Sequence, residues 1–156
     1  MKRIVFLISV LFATLTMQAQ DQFLQKYTTW GDVNTIHVTK NLMDHFPTEH
    51  FSYVPGLSML LPNMESMTAL ESRGDEAGKK MGKNIPSQLA RRGYETCVDY
   101  CQDKQKVTVM RSTDNPSSIV LIVYKKPHAT VLSMKGHFSD ELIQAAVCPP
   151  QEEEAE

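Results

Sequence analysis

Residues 94 to 135 hold four apolar-rich runs joined by short polar turns, and that pattern leaves few folds open. The runs are Tyr94 to Cys101, Lys106 to Arg111, Ile119 to Lys125 and Thr130 to Lys135. Their connections carry Gln102-Asp103-Lys104-Gln105, Asp114-Asn115-Pro116-Ser117 and Pro127-His128. Parallel strands need crossovers of a dozen residues or more, so turns this short predict an antiparallel meander. Pairing the first two runs through their turn sets Val98 opposite Val109 and Tyr100 opposite Val107. Tyr94, Val98, Tyr100, Val107 and Val109 are then expected on one face, beneath helices.

The third run is apolar at every position as far as Tyr124, so it offers a full set of side chains to each face. Which set points where depends on the register of the 112–118 turn, because a one-residue slip exchanges them. With helices expected on one face only, the outward set is expected as an interaction face made of Ile119, Leu121, Val123 and Met110. The other set is Val120, Ile122 and Tyr124. Three such side chains left in water forgo about 1.5–3 kcal/mol each. Something must cover them: a partner, or else segment 20–30 or 47–62 of the same chain.

The remaining elements follow from periodicity. Gln20 to Trp30 reads as a short helix with Phe23, Leu24 and Tyr27 on one side. Val33 to Val38 alternates as a strand, and Lys40 to Phe46 carries apolar residues at helical spacing before Pro47. Segment 47–62 is punctuated by Pro47, Pro55, Gly56 and Pro62 yet is strongly apolar, and it is expected to bury itself as a short helix from Gly56 to Leu61. Met64 to Ser72 reads as a second strand. From Asp75 a helix presents Ala77, Met81, Ile85 and Leu89 at four-residue spacing, with a kink or restart expected at Pro86 and an end at Gly93. Ser139 is placed to cap a last helix through Val147. The order β-α-β-α-β-β-β-β-α predicts an α+β, two-layer domain: a largely antiparallel sheet with helices on one face, ending in a four-stranded meander and a terminal helix.

The ends of the chain have a different character. Lys2 and Arg3 precede an apolar run from Ile4 to Leu15, followed by Thr16-Met17-Gln18-Ala19, the layout of a cleavable export signal. Residues 1–19 are therefore expected to be removed after Ala19, leaving one α+β domain over 20–148 and a disordered acidic tail over 149–156. The run is too short to span a bilayer comfortably and no second apolar stretch follows, so no transmembrane span is expected in the mature chain. A periplasmic or extracellular location follows. The 16 basic and 18 acidic residues nearly balance, and the excess acid lies at Glu152, Glu153, Glu154 and Glu156. Without a basic stripe, nucleic acid is not an expected partner.

The motifs that suggest chemistry fall short of it. Gly74, Gly78-Lys79 and Gly82-Lys83 sit where a phosphate loop would, but the glycine spacing is three and no Ser or Thr follows the lysines. The glycines are better read as room for the helix to approach the sheet. His45, Glu49 and His50 cluster in sequence, but the histidines are five apart with Pro47 between them, and a third ligand would have to come from His128 or His137. Cys97 and Cys101 have neither redox nor zinc spacing. In a strand their separation of roughly 13 Å forbids a bond to each other. Either is within expectation to pair with Cys148, or all three stay free. Alternation puts both beside Glu95 and Asp99, whose charges work against a thiolate. No residue is assigned as catalytic, cofactor-binding or metal-ligating, and no cofactor is expected.

Arg92-Gly93-Tyr94-Glu95, the runs at 106–110 and 119–124, and Val131-Leu132-Ser133-Met134-Lys135-Gly136 with Asp140-Glu141-Leu142 resemble a group of small exported bacterial proteins, domain of unknown function 4252. The resemblance takes in most of the mature chain, departs at 47–62, and brings no catalytic residues with it. It implies export and a single α+β domain. The expected function is a non-enzymatic extracytoplasmic binding or interaction module, its partner an envelope protein or a second copy of itself. The alternatives are a small extracytoplasmic hydrolase and a structural or regulatory subunit acting as an oligomer.

Overall fold

The computed structural model describes residues 24–148 other than 28, 29, 44, 46 and 47; the expected signal at 1–19 and acidic tail at 149–156 lie outside the described residues. Six strands follow in chain order: β1 (Val33–Thr39), β2 (Met64–Ser72), β3 (Tyr94–Gln102), β4 (Gln105–Ser112), β5 (Ser118–Lys125) and β6 (His128–Gly136). The helices are α1 (residues 24–27), α2 (Lys40–Met43), α3 (Leu57–Leu60), α4 (Asp75–Arg91) and α5 (Asp140–Val147), with 3₁₀ turns at Thr48–Phe51 and Leu61–Asn63. All strands join one antiparallel sheet in the order β1-β2-β6-β5-β4-β3, which makes the fold α+β as its element order implies.

The β3–β4 hairpin shows how local chemistry sets the sheet. Asp103 and Lys104 both adopt positive φ, at 52° and 65°, the twist that a two-residue turn between antiparallel strands requires. Val98 lies opposite Val109 and Tyr100 opposite Val107. Tyr94, however, does not share their face. A bulge between Thr96 and Val98 inserts Cys97 as an extra residue. Alternation is reset there, so Tyr94 packs with the opposite cluster, that of α4.

The helices divide between the two faces instead of collecting on one. On one face α4 lays Met81, Ile85 and Leu89 over Met110, Val120, Ile122 and Val131, with Leu24 and Tyr27 of α1 alongside. On the other, α3, α5 and the turn at Thr48–Phe51 place Phe51, Leu57, Leu60, Ile143 and Val147 over Val109, Leu121, Leu132 and Met134. The reason lies in β5, whose first six residues are all buried. A strand apolar on both sides must be covered on both sides.

That arrangement also corrects the expected interaction face. Ile119 and Leu121 are fully buried, and Val123 and Met110 nearly so. Met110 belongs to the α4 cluster while the other three belong to the α3–α5 cluster, so the four do not form one surface. Leu24 and Tyr27 on one face, and Phe51, Val54, Leu57 and Leu60 on the other, supply cover from within the chain.

Two glycines let the helices come this close. A Cβ on Gly78 of α4 would stand 1.7 Å from the Pro127 carbonyl oxygen, and one on Gly56, before α3, would stand 1.8 Å from that of Ala146. Gly56 also has φ +73°, where a side chain is strained in any case. The helix α4 runs through Pro86 as one element, with Asp75 and Glu76 in its first turn and Arg91 in its last, each matching the helix dipole. At α5 the Ser139 hydroxyl accepts the Leu142 amide at 3.1 Å, the expected cap.

Candidate functional site: an edge groove and a neighbouring cleft

The cover over the α3–α5 face is made of short pieces, and short pieces leave gaps. A mostly apolar gap lies where β1, one of the two edge strands, meets the chain that follows it. Its walls are Ile36 and Val38 from β1, Leu42 from α2 and Phe51 from the 3₁₀ turn, enclosing about 550 Å³. Leu42 stands at its rim with 57% of its surface exposed, the largest value among the described apolar side chains. His45 and His50 complete the lining. His37 also borders the groove, but its ring bonds Thr68 Oγ1 at 2.9 Å, and odd-numbered β1 residues face α4.

His50 is tied into a partly exposed chain of polar groups. Its Nε2 lies 3.1 and 3.2 Å from the two Glu71 carboxylate oxygens. Tyr53 donates its hydroxyl to Glu71 Oε1 at 2.9 Å and sits 2.9 Å from Thr130 Oγ1. Glu71 and Thr130 are on β2 and β6, and their side chains rise on the α3–α5 face because residues 67, 69, 132 and 134 do. Burial pushes the Tyr53 phenol up to about 12, the Glu71 charge and hydrogen bond add to that, and the Thr130 hydrogen bond offsets part of it. Tyr53 is thus a neutral donor across physiological pH. A carboxylate only accepts, so it is the Nε2 of His50 that carries hydrogen toward Glu71.

The second cleft, of about 600 Å³, lies at the far end of the same face between β3, β4 and α5. Arg111 on β4 reaches α5 here. It donates to Asp140 at 2.5 Å and to the Phe138 carbonyl, while its Nε is buried without a partner among the described residues. This is a strut holding the helix start to the sheet. The bulge turns Cys97 into the cleft. Burial raises its thiol pKa, Asp140 and Glu95 push the same way, and Arg111 opposes them. Among the described residues lining the cleft there is no imidazole to take a proton from it. The carboxylates act in the expected direction, with burial the larger cause.

Other expectations resolve as follows. Cys97, Cys101 and Cys148 are all free and exposed, so neither pairing with Cys148 is made. Cys97 opens onto the first turns of α5, whereas Cys148 ends that helix roughly 12 Å further on, and a bridge needs Cα atoms within about 7 Å. Cys101 follows Tyr100 on the strand, so its side chain points to the sheet face away from α5. His45, Glu49 and His50 do not converge as ligands. His137 pairs with Glu65 at 3.6 Å and His128 opens β6, both on other elements. Among the described residues no three His, Cys, Asp or Glu side chains are grouped to hold a metal, and no helix is long and apolar enough to cross a membrane.

Sequence spacing did not single out Tyr53, Glu71 or Thr130. They lie 18 and 77 residues apart along the chain and meet only through strand pairing and the folded 47–62 segment. The one available signal was the apolar character of that segment, which had to fold onto the sheet. Compared with family models, curated proteins and solved structures, the chain matches none.

Proposed function

We propose that this is an exported, non-catalytic binding module that takes a small, mainly apolar molecule in the groove between β1, α2 and the Thr48–Phe51 turn. What carries the reading is Leu42, exposed beside buried Val38 and Phe51 on a wall that the other described residues leave open. A cleft of this size with carbon walls and a few polar groups is the usual form of a small-molecule site. Export rests on the layout of residues 1–19 and on the resemblance to the exported bacterial group, whose membership is part of the same proposal. Titration with propylbenzene, followed by amide NMR shifts, tests the site. Shifts confined to residues 36–51 and lost in Leu42→Asp support it. Shifts spread over the molecule, or none, refute it. Mass measurement of the secreted chain tests export, with a start at Gln20 as the expected result.

A second reading, a small hydrolase, is favoured by one observation. Glu71 holds the His50 ring as carboxylates hold catalytic imidazoles, leaving Nδ1 as an acceptor able to take a proton from water. Hydrolysis of aryl acetates that is lost in His50→Phe would favour this reading over plain binding.

A further inference from the structure

We infer that the ligand of this groove is a neutral apolar molecule bearing one hydroxyl, of which a simple alkylphenol is the model, and that His50 Nδ1 accepts its proton. The inference rests on the proposed groove and deepens it by naming the ligand class. Two observations carry it. The first is charge. Among the described residues no Asp, Glu, Lys or Arg lines the groove. Against these described walls a charged head group meets no counter-charge, which burial penalises heavily. Glu71 already accepts from His50 and Tyr53, so its charge is partly spent on groups of the same chain.

The second is the tautomer. A carboxylate oxygen only accepts, so Nε2 is the donor toward Glu71, and in the uncharged ring Nδ1 is the acceptor left over. A ring in this state rewards a donor and gives nothing to a bare hydrocarbon or a carboxylate. A hydroxyl supplies the donor, and an aromatic or alkyl body fills the space beside Ile36, Val38, Leu42 and Phe51. Tyr53, whose hydroxyl also lies 2.9 Å from Thr130 Oγ1, bonds Glu71 as well, which helps to position the acceptor before any ligand arrives.

The test compares three probes of one shape, 4-propylphenol, propylbenzene and 4-propylbenzoate, by calorimetry and NMR shift on the wild-type chain, on His50→Phe and on Glu71→Gln. The phenol is expected to bind roughly tenfold tighter than propylbenzene, the gain of one well-made hydrogen bond. His50→Phe keeps a ring in place and is expected to erase that advantage, so that the phenol and propylbenzene bind alike. Glu71→Gln keeps the imidazole but frees its tautomer, because an amide both donates and accepts, and it too should erase the preference. Both variants are first checked for wild-type NMR spectra, and if one is unfolded the other decides. Equal binding of all three probes, tightest binding of the benzoate, or a phenol preference that survives in a folded variant would overturn the inference while leaving the groove as a binding site. If no probe binds, both the inference and the proposed function fall.

Discussion

The two faces of the sheet are covered to the same depth by unlike means. One carries a helix of 17 residues whose buried side chains recur every four positions. The other carries two helices of four and eight residues and two 3₁₀ turns. Leu121 and Ile122, neighbours on β5 that point to opposite faces, are equally buried, at 0% and 2% exposure. What differs is the finish at the margins. A long helix seals what it covers along its length, whereas short pieces meet at irregular angles and leave a groove beside Leu42 and a cleft beside Arg111. Recognition surfaces are expected where the cover is pieced together, because the cleft beside α4, between Trp30, Asp32 and Lys80, is smaller, about 320 Å³.

The largest effect that bears on this comparison is a charge placed beneath either cover. Leu121→Asp and Ile122→Asp each bury an unpaired carboxylate, and the cost approaches the whole stability of a domain this size, about 5–15 kcal/mol. Both variants are expected to lose their cooperative unfolding transition in urea. If either one folds with a normal transition, the cover on its face is dispensable and the two faces are not equivalent.

Next come the close approaches. Gly78→Ala drives a methyl group into the Pro127 carbonyl on the α4 face, and Gly56→Ala drives one into the Ala146 carbonyl on the other. Overpacking of this kind costs about 1–3 kcal/mol. Gly56→Ala adds the strain of a left-handed backbone, about 1–2 kcal/mol more, so it should be the worse of the pair. Urea midpoints would check the order, and a smaller loss at Gly56 would mean that the pieced cover yields where the long helix does not. Ser139→Ala is smaller again. It removes the hydroxyl that accepts the Leu142 amide and should cost about 1 kcal/mol in the same assay.

The same contrast governs what could be read from the sequence. Met64–Ser72 was legible as a strand to the residue, and α4 was legible from its four-residue period, because each signal is local. The Val98–Val109 register followed from turn length alone. Tyr94 was misplaced because a bulge at Cys97 leaves no mark in the alternation of side chains. The division of helices between faces was present in β5, apolar at every position, but an expected interaction face was offered in place of the simpler remedy of internal cover. The groove itself was not legible. Its walls come from residues 36 to 51, and the Glu71 and Thr130 that brace it are distant in sequence and joined by pairing β2 to β6.

The smallest predicted effect probes the pieced cover at its polar seam. Tyr53 is 44% exposed, yet its hydroxyl reaches both Glu71 and Thr130. Its pKa in the fold is about 12, above the ordinary 10.0, first through burial and then through the neighbouring carboxylate. The fold therefore favours the protonated phenol. By linkage, this contribution is fully present below pH 10, declines as pH rises from 10 toward about 12, and is gone above that. The other tyrosines with raised values, Tyr27 and Tyr100, act in the same direction and cancel in a comparison with Tyr53→Phe. Urea unfolding of both proteins between pH 8 and pH 12 is expected to show a constant gap up to pH 10 that narrows beyond it. A gap that stays flat through pH 12 would mean that Tyr53 is neither packed down on the sheet nor held beside Glu71 in solution. The 47–62 segment would then be held to the sheet by its apolar side chains alone, and His50 would lose the brace that sets its tautomer.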